Sequence, residues 1–307
     1  VGSEMCIRDR SMTEAPLRVG YLPGLRADDV HWESMTLGYG SNAVQVQMPV
    51  LTAAQWTTLA DRVRLAARTQ LKHMPVSILI DAIDRAVQRW LDPQDPRRQL
   101  AQRVLPQITG WDPEMIRQGL NATFKTYRAK QLHRFVAEDV DNPKLLDEFQ
   151  PRPKGGWARA LGPDLLVHVW AGNVPGLPLW SLVCGLLVKA GSVGKVARAE
   201  PLMAGWFVQT LVEVEPRLAD CMAVVWWPGG EVDTERQVFG LADQVLAYGG
   251  DATLEDLRTR VPVETPLQLH GHKLSFGLIS RQALGVREAQ LSARQAALDV
   301  VRYEQMG

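Results

Sequence analysis

The sequence predicts an α/β protein, a doubly wound parallel sheet preceded by a block of helices, and three observations carry that expectation. From residue 165 onward, short apolar runs alternate with helix-length segments, the order that a parallel sheet with crossover helices requires. Between 52 and 147 the apolar residues recur at helical spacing instead. A Pro/Gly-rich stretch at 150–156, QPRPKGG, separates the two patterns.

Taken in order, residues 18–50 carry short β-like runs. At 43–50, AVQVQMPV alternates apolar and polar for most of its length, the period of a half-buried strand. Leu59, Val63, Ala66 and Ala67, then Ile80, Ile83, Val87 and Trp90, form apolar stripes interleaved with charges, hence amphipathic helices. Residues 92–96, DPQDP, read as a turn between helices, and Asp112-Pro113 as the cap and first residue of another. The second half predicts strands at 165–170, 193–197, 222–227 and 244–248, with helices near 177–189, 202–214 and 234–241. Parallel sheets of this kind bind ligands where the carboxyl ends of the strands meet the following turns.

Composition narrows the class. The 307 residues are 46% hydrophobic, enough for one large core or two domains, and 34 basic residues balance 34 acidic ones. Zero net charge supplies no global field toward nucleic acid or an anionic membrane, so small-molecule or protein partners are expected. Cys6, Cys184 and Cys221 form neither an even disulfide set nor a zinc spacing, and a cytoplasmic, reducing location is the expectation. Residues 1–10, VGSEMCIRDR, have the look of translated sequencing adapter ahead of Met12 and are set aside. The apolar stretch 165–190 contains His168, Asn173, Pro175, Pro178 and Lys189, which fits strand, turn and buried helix better than a membrane span.

Four turns could carry chemistry. In Ala171-Gly172-Asn173-Val174-Pro175, Asn173 either caps the next helix or offers an uncharged amide to an oxyanion. Lys195 and Arg198, after a short strand, are solvated surface or face a nucleotide's ribose and 2′-phosphate. Tyr248-Gly249-Gly250-Asp251 is a tight strand-to-helix turn or a phosphate approach, with Asp251 expected as a helix cap. His270 and His272 would point the same way on a strand, but no carboxylate or cysteine lies close in sequence and no metal is expected. Cys184, inside an apolar helix, and Cys221, before a strand, read as inert thiols, and Trp226 and Trp227 as sheet-face packing.

In order, these turns resemble the aldehyde dehydrogenase superfamily. Asn173-Val174-Pro175 is similar to its W-N-x-P turn, whose Asn stabilises the oxyanion. Lys195-Val196-Ala197 with Glu200-Pro201-Leu202 is similar to K-P-S-E-x-T-P-L, whose Lys contacts the ribose. Ala242-Asp243-Gln244-Val245 with Tyr248-Gly249-Gly250 is similar to V-D-x-I-x-F-T-G-S. The closer resemblance is to the acyl-CoA reductase (LuxC-type) family, the reductase component of the bacterial bioluminescence fatty acid reductase. It rests on Ala171-Gly172-Asn173-Val174-Pro175, Val225-Trp226-Trp227-Pro228-Gly229-Gly230, Gly271-His272-Lys273-Leu274-Ser275-Phe276-Gly277 and Tyr303-Glu304-Gln305-Met306-Gly307, and runs from about Leu59 to the end.

That resemblance implies an aldehyde dehydrogenase-like fold divided at 11–50 (β segment), 51–150 (helices), 151–263 (NADP-binding α/β region) and 264–307 (start of a truncated catalytic domain). It implies reduction of a long-chain acyl-CoA or acyl-protein thioester to aldehyde through a cysteine thioester, with Asn173 at the oxyanion and the nucleophilic Cys expected just after Gly307. The 307 residues alone are accordingly expected to be inactive. Gln268 stands where the superfamily has a general-base carboxylate, as suits an enzyme that must not hydrolyse its acyl-enzyme. Arg198 stands where an acidic residue would hold both ribose hydroxyls of NAD, so NADPH is the expected cofactor, with Lys195, Arg198, Tyr248, Gly249 and Gly250 as its binding residues. Acyl-transferase or synthetase subunits are possible partners, and the intact protein is expected to be a homo-oligomer. Two alternatives stay open: another acylating aldehyde dehydrogenase, or a non-catalytic NADP-binding or scaffold subunit of a fatty acid reductase complex.

Overall fold

A computed structural model describes residues 16–38, 43–285 and 288–301. The suspected adapter with Cys6, Met12 and the run at 303–307 lie outside the described residues. A three-stranded sheet opens the chain: β1 (Leu17–Arg18) pairs in parallel and β2 (His31–Leu37) antiparallel with the central β3 (Val44–Val50). Beyond β1 the chain bridges to the large sheet, with the Tyr21 N–H donating to the Val224 carbonyl at 2.9 Å and the Val224 N–H donating back at 2.8 Å.

Five helices follow. α1 (Ala53–Thr69) begins at a capping box in which Thr52 and Gln55 satisfy each other's backbone N–H groups. In α2 (Val76–Leu91) the predicted stripe Ile80, Ile83, Val87 and Trp90 is buried. α3 (Pro96–Thr109) and α4 (Pro113–Thr126) start on Asp95 and Asp112, whose carboxylates accept the first free N–H groups, with Pro at the first helical position. α5 (Ala129–Val140) and the hairpin of β4 (Gln150–Pro151) and β5 (Trp157–Ala158) complete this part. Trp90 stacks on Phe124 at 5.3 Å and Phe124 on Phe207 at 6.0 Å, so the helices share aromatic packing with the α/β half.

The large sheet is wholly parallel: β6 (Leu166–Val169), β7 (Ser192–Lys195), β8 (Met222–Val225), β9 (Gln244–Tyr248) and β10 (Leu267–His270), in the order β10-β9-β6-β7-β8. The crossover helices are α6 (Leu177–Leu187), α7 (Met203–Val214), α8 (Val232–Leu241) and α9 (Asp251–Arg258). α6 and α7 pack with α2 on one face, around Leu182, Phe207 and Trp90. α1, α8 and α9 cover the other around Trp56, Phe239 and Leu254. Helices on both faces and a strand order that reverses beside β6 make the sheet doubly wound. The apolar stretch 165–190 resolves into a strand, a turn and an 11-residue helix, and among the described residues no helix is long and apolar enough to cross a membrane. The last helix, α10 (Glu288–Val301), has no buried residue.

Candidate active site

All five parallel strands end at one edge. In register, Val169 of β6 lies beside Lys195 of β7 and Ala247 of β9, Lys195 beside Val225 of β8, and Tyr248 beside His270 of β10. The turns carrying Asn173, Lys195 with Arg198, and Gly249-Gly250 therefore emerge side by side. The reversal of strand order falls between β6 and β9, and the Asn173 and Gly249 turns flank it. A cavity of about 50 Å³ opens there, lined by Trp170, Ala171, Leu177, Pro178, Trp180, Ser181 and Tyr248.

The Asn173 turn is held by packing. A Cβ on Gly172 would lie 2.7 Å from the Ala197 Cβ and 3.2 Å from the Glu200 nitrogen, so only glycine lets the turn after β6 seat against the turn after β7. The cap of α6 is Gly176, at φ 86°, rather than Asn173, and the helix-cap reading of Asn173 does not hold. Asn173 is partly buried and stands four residues before the helix begins. Asp251 likewise does not cap α9: Gly250 occupies the cap, and Asp251 adds a carboxylate to the first turn, where it complements the helix dipole.

Lys195 is the last residue of β7, and its Nζ lies 5.4 Å from the centroid of the Trp227 ring. Burial pushes its amine pKa down, while Glu235 opposes that shift. Glu235 is itself buried, accepting from Trp227 Nε1 at 3.3 Å, from the Gly230 N–H at 3.3 Å and from Arg260. Trp227 also meets Trp56 edge-on at 5.5 Å, so the expected sheet-face packing is present, with a cation over the same ring. Arg198 is exposed.

Tyr248 stacks on His270, ring centroids 4.8 Å apart. Burial pushes its phenol pKa up and a hydrogen bond with Ser181 opposes this. Ser181 in turn meets His168 Nδ1 at 2.6 Å, and His168 Nε2 meets Ser192 at 3.2 Å. Desolvation holds His168 at about 3, neutral at any physiological pH. Glu200 accepts the Leu202 and Met203 N–H groups at 2.8 and 2.9 Å, and burial pushes it up to about 7. Glu200 belongs to the Glu200-Pro201-Leu202 run that the sequence offered, whereas the Glu235–Arg260 pair carries no local sequence signal. The His168 network does carry one, as polar residues in otherwise apolar elements.

Cβ atoms on Gly249 or Gly250 would meet no protein atom closer than 3.7 Å, so internal packing does not demand these glycines, and the approach of a ligand to the start of α9 would. Lys195 and Arg198 present cationic groups at the turn after β7, one strand beyond β6 on the same edge, and this edge fits a phosphate-bearing nucleotide. Gln268 lies exposed on β10 with Nε2 3.2 Å from His270 Nε2, and the Gly271–Gly277 run continues without regular structure. No group of three or more His, Cys, Asp or Glu side chains among the described residues is arranged to hold a metal. Burial pushes both the Cys184 and Cys221 thiols up to about 12, and Cys221 lies at the opposite end of the sheet, ahead of β8.

The fold is that of the aldehyde dehydrogenases. The chain is similar to aldehyde dehydrogenase 21 from Physcomitrella patens in complex with succinate, with a TM-score of 0.66 and 16% identity over 85% of this chain and 53% of that one. It is also similar to glyceraldehyde-3-phosphate dehydrogenase from Methanocaldococcus jannaschii complexed with NADP, with a TM-score of 0.64 and 11% identity over 80% and 52% of the two chains. Within that fold the chain belongs to the acyl-CoA reductase (LuxC) family, whose pattern matches residues 71–307. Relatives include long-chain acyl-protein thioester reductases from Photorhabdus luminescens, 24% identical over 88% of this chain and 54% of that protein, and from Aliivibrio fischeri, 27% identical over 71% and 45%. The chain thus spans about half the length of the curated relatives it matches.

Proposed function

We propose that the full-length protein reduces a long-chain acyl thioester, carried on coenzyme A or on a protein, to the aldehyde. The observation that carries this reading is the convergence of the Asn173, Lys195 and Gly249 turns on one sheet edge, with a cavity lined by Ala171 and Tyr248 at the point of strand reversal. Family membership supports the reaction class. NADPH, once bound, would supply hydride. Lys195 would hydrogen-bond the ribose, Arg198 would attract the 2′-phosphate, and Tyr248 with the Gly249-Gly250 backbone would hold the pyrophosphate at the start of α9. A cysteine thiolate, expected beyond Gly307 from the resemblance of the 303–307 run, attacks the acyl carbonyl and expels the thiol carrier. The Asn173 amide donates to the oxygen as it gains charge. Gln268 cannot act as a base toward water, which keeps the acyl group for reduction.

The cofactor part is tested on this chain by titrating NADPH and NADH against tryptophan fluorescence. Arg198→Glu should weaken NADPH binding about tenfold, the loss of about 1.4 kcal/mol, and leave NADH within about threefold. An equal effect on both cofactors would remove Arg198 from the site. In the full-length protein Asn173→Ala should lower kcat about 10²- to 10³-fold, and an unchanged kcat refutes the oxyanion role.

A further inference from the structure

At the opposite end of the same sheet, where the strands begin, lies a second cavity of about 180 Å³ lined by Lys72, His73, Pro75, Asp147, Arg159 and Lys189. We propose that it is a binding site for a phosphate-sized dianion, with the Arg159 guanidinium as its principal ligand. It is separate from the nucleotide edge, since Lys189 precedes β7 and Asp164, which Lys72 touches, precedes β6.

Three features point to an anion. First, the cations outnumber the carboxylates. Lys72, Arg159 and Lys189 line the cavity against Asp147, and Asp164, behind Lys72, is shared with Arg68 at 2.5 Å. Second, Arg159 is left with donors to spare. Its Nη2 donates to the Lys72 carbonyl at 3.1 Å, whereas its Nε is buried with no hydrogen-bond partner and it pairs with no carboxylate among the described residues. A guanidinium that lines a cavity without a carboxylate partner has donors left for an oxyanion, whose two-pronged geometry it matches best. Third, α2 begins here. Pro75 is its cap residue, Asp147 accepts the Val76 N–H at 3.0 Å, and the positive end of a 16-residue helix faces the cavity.

Lys189 adds a backbone argument. It holds φ 61°, a conformation that favours glycine or asparagine, at the end of α6. A lysine there sends its ammonium, 4% exposed, to Asp147 at 2.7 Å. That pairing occupies Asp147 with Lys189 and the helix terminus, as Asp164 occupies Lys72, and leaves Arg159 as the cation on the cavity wall without a carboxylate among the described residues. The cavity's volume is several times the ~30 Å³ share of one water, enough for a phosphate group and part of what carries it.

The test uses the 307-residue chain, with inorganic phosphate and glycerol 2-phosphate as probes and chloride at matched ionic strength as the control. Either phosphate should raise the thermal unfolding midpoint saturably where chloride does not. A response to inorganic phosphate alone identifies the free ion as ligand, and a stronger response to the ester identifies a phosphomonoester. Arg159→Gln should weaken the apparent affinity at least about tenfold while Arg236→Gln, exposed on α8, leaves it unchanged, since a tenfold loss is the removal of about one charge-assisted contact. Phenylglyoxal labelling of Arg159, read by mass spectrometry on the unsubstituted chain, should slow severalfold with phosphate, and this measurement stands whether or not the variant folds. Equal midpoints in phosphate and chloride, loss of the effect in Arg236→Gln but not Arg159→Gln, or unprotected labelling of Arg159 would each overturn the proposal.

Discussion

Gly194 lies in the middle of β7, and the substitution Gly194→Ala tests how the floor of the candidate active site is built. A Cβ at this position would lie 1.8, 2.2 and 2.4 Å from three atoms of the Trp170 ring. Ordinary carbon contact is about 3.5 Å, so the ring must retreat by about 1.7 Å (3.5 − 1.8) or β7 must leave its register. Trp170 is 3% exposed within the core, and the one space beside it is the cavity of about 50 Å³ that it lines, so a retreat of the ring would fill the site. Overpacking typically costs about 1–3 kcal/mol, and a rigid indole met by a backbone-anchored Cβ belongs at the upper end, about 3 kcal/mol. Because Trp170 lines the cavity and directly precedes the turn that carries Asn173, NADPH affinity should fall as well. The assay is urea unfolding followed by tryptophan fluorescence, with Gly229→Ala as control, a position where a Cβ meets nothing within 4 Å and should cost no more than about 0.5 kcal/mol. If the two variants unfold within about 0.5 kcal/mol of each other, the argument that Gly194 exists to admit Trp170 is wrong.

Glu235→Gln should destabilise the chain by about 3 kcal/mol, the lower end of the range for a broken buried ion pair because Arg260 keeps Asp256. The double variant Glu235→Leu with Arg260→Met should recover most of that loss in the same urea assay, and no recovery would assign the cost to something other than the stranded guanidinium. Glu200 and His168 set opposed pH dependences. Glu200, raised from 4.5 to about 7, contributes stability that is fully present below pH 4.5 and is lost as pH rises through 7, about 3 kcal/mol in all. His168, depressed from 6.5 to about 3, contributes stability present above pH 6.5 and lost as pH falls. Between pH 4.5 and 6.5 the two nearly cancel, so Glu200→Gln should unmask an acid loss of about 3 kcal/mol over those two pH units, read as the difference from the parent at each pH. Parallel pH profiles for parent and variant would show that Glu200 is ionised throughout.

Much of the architecture was written in local pattern. β9 occupies the expected 244–248, the stripe on α2 is buried, and Asp112-Pro113 starts α4. The expected strands at 165–170, 193–197 and 222–227 run past the observed β6, β7 and β8 because Trp170, Val196, Trp226 and Trp227 stay buried in the turns that floor the crevice. Apolarity continues there after strand geometry stops. The helix expected to reach 189 ends at Leu187 because Lys189 turns left-handed. The turns bearing Asn173, Lys195 and Gly249 could be nominated because each follows a strand. Their partners could not. Trp227 beneath Lys195, Glu235 joined to Arg260 and Arg159 beside Lys189 are brought together by tertiary folding, and no local spacing encodes them.

The reciprocal hydrogen bonds between Tyr21 and Val224 make the two borders of the large sheet unlike. On one side, the opening segment lies along β8 and consumes hydrogen-bonding groups that would otherwise be available to a foreign strand. On the other, β10 has β9 as its one neighbour among the described strands, with Gln268 and His270 turned to solvent. Growth of the sheet by further pairing, within the protein or between copies, is thereby directed to the β10 side. Freeing the opening segment, as by Tyr21→Pro, which removes the bridging N–H, would restore a second sticky border and should show as self-association before it shows as loss of fold.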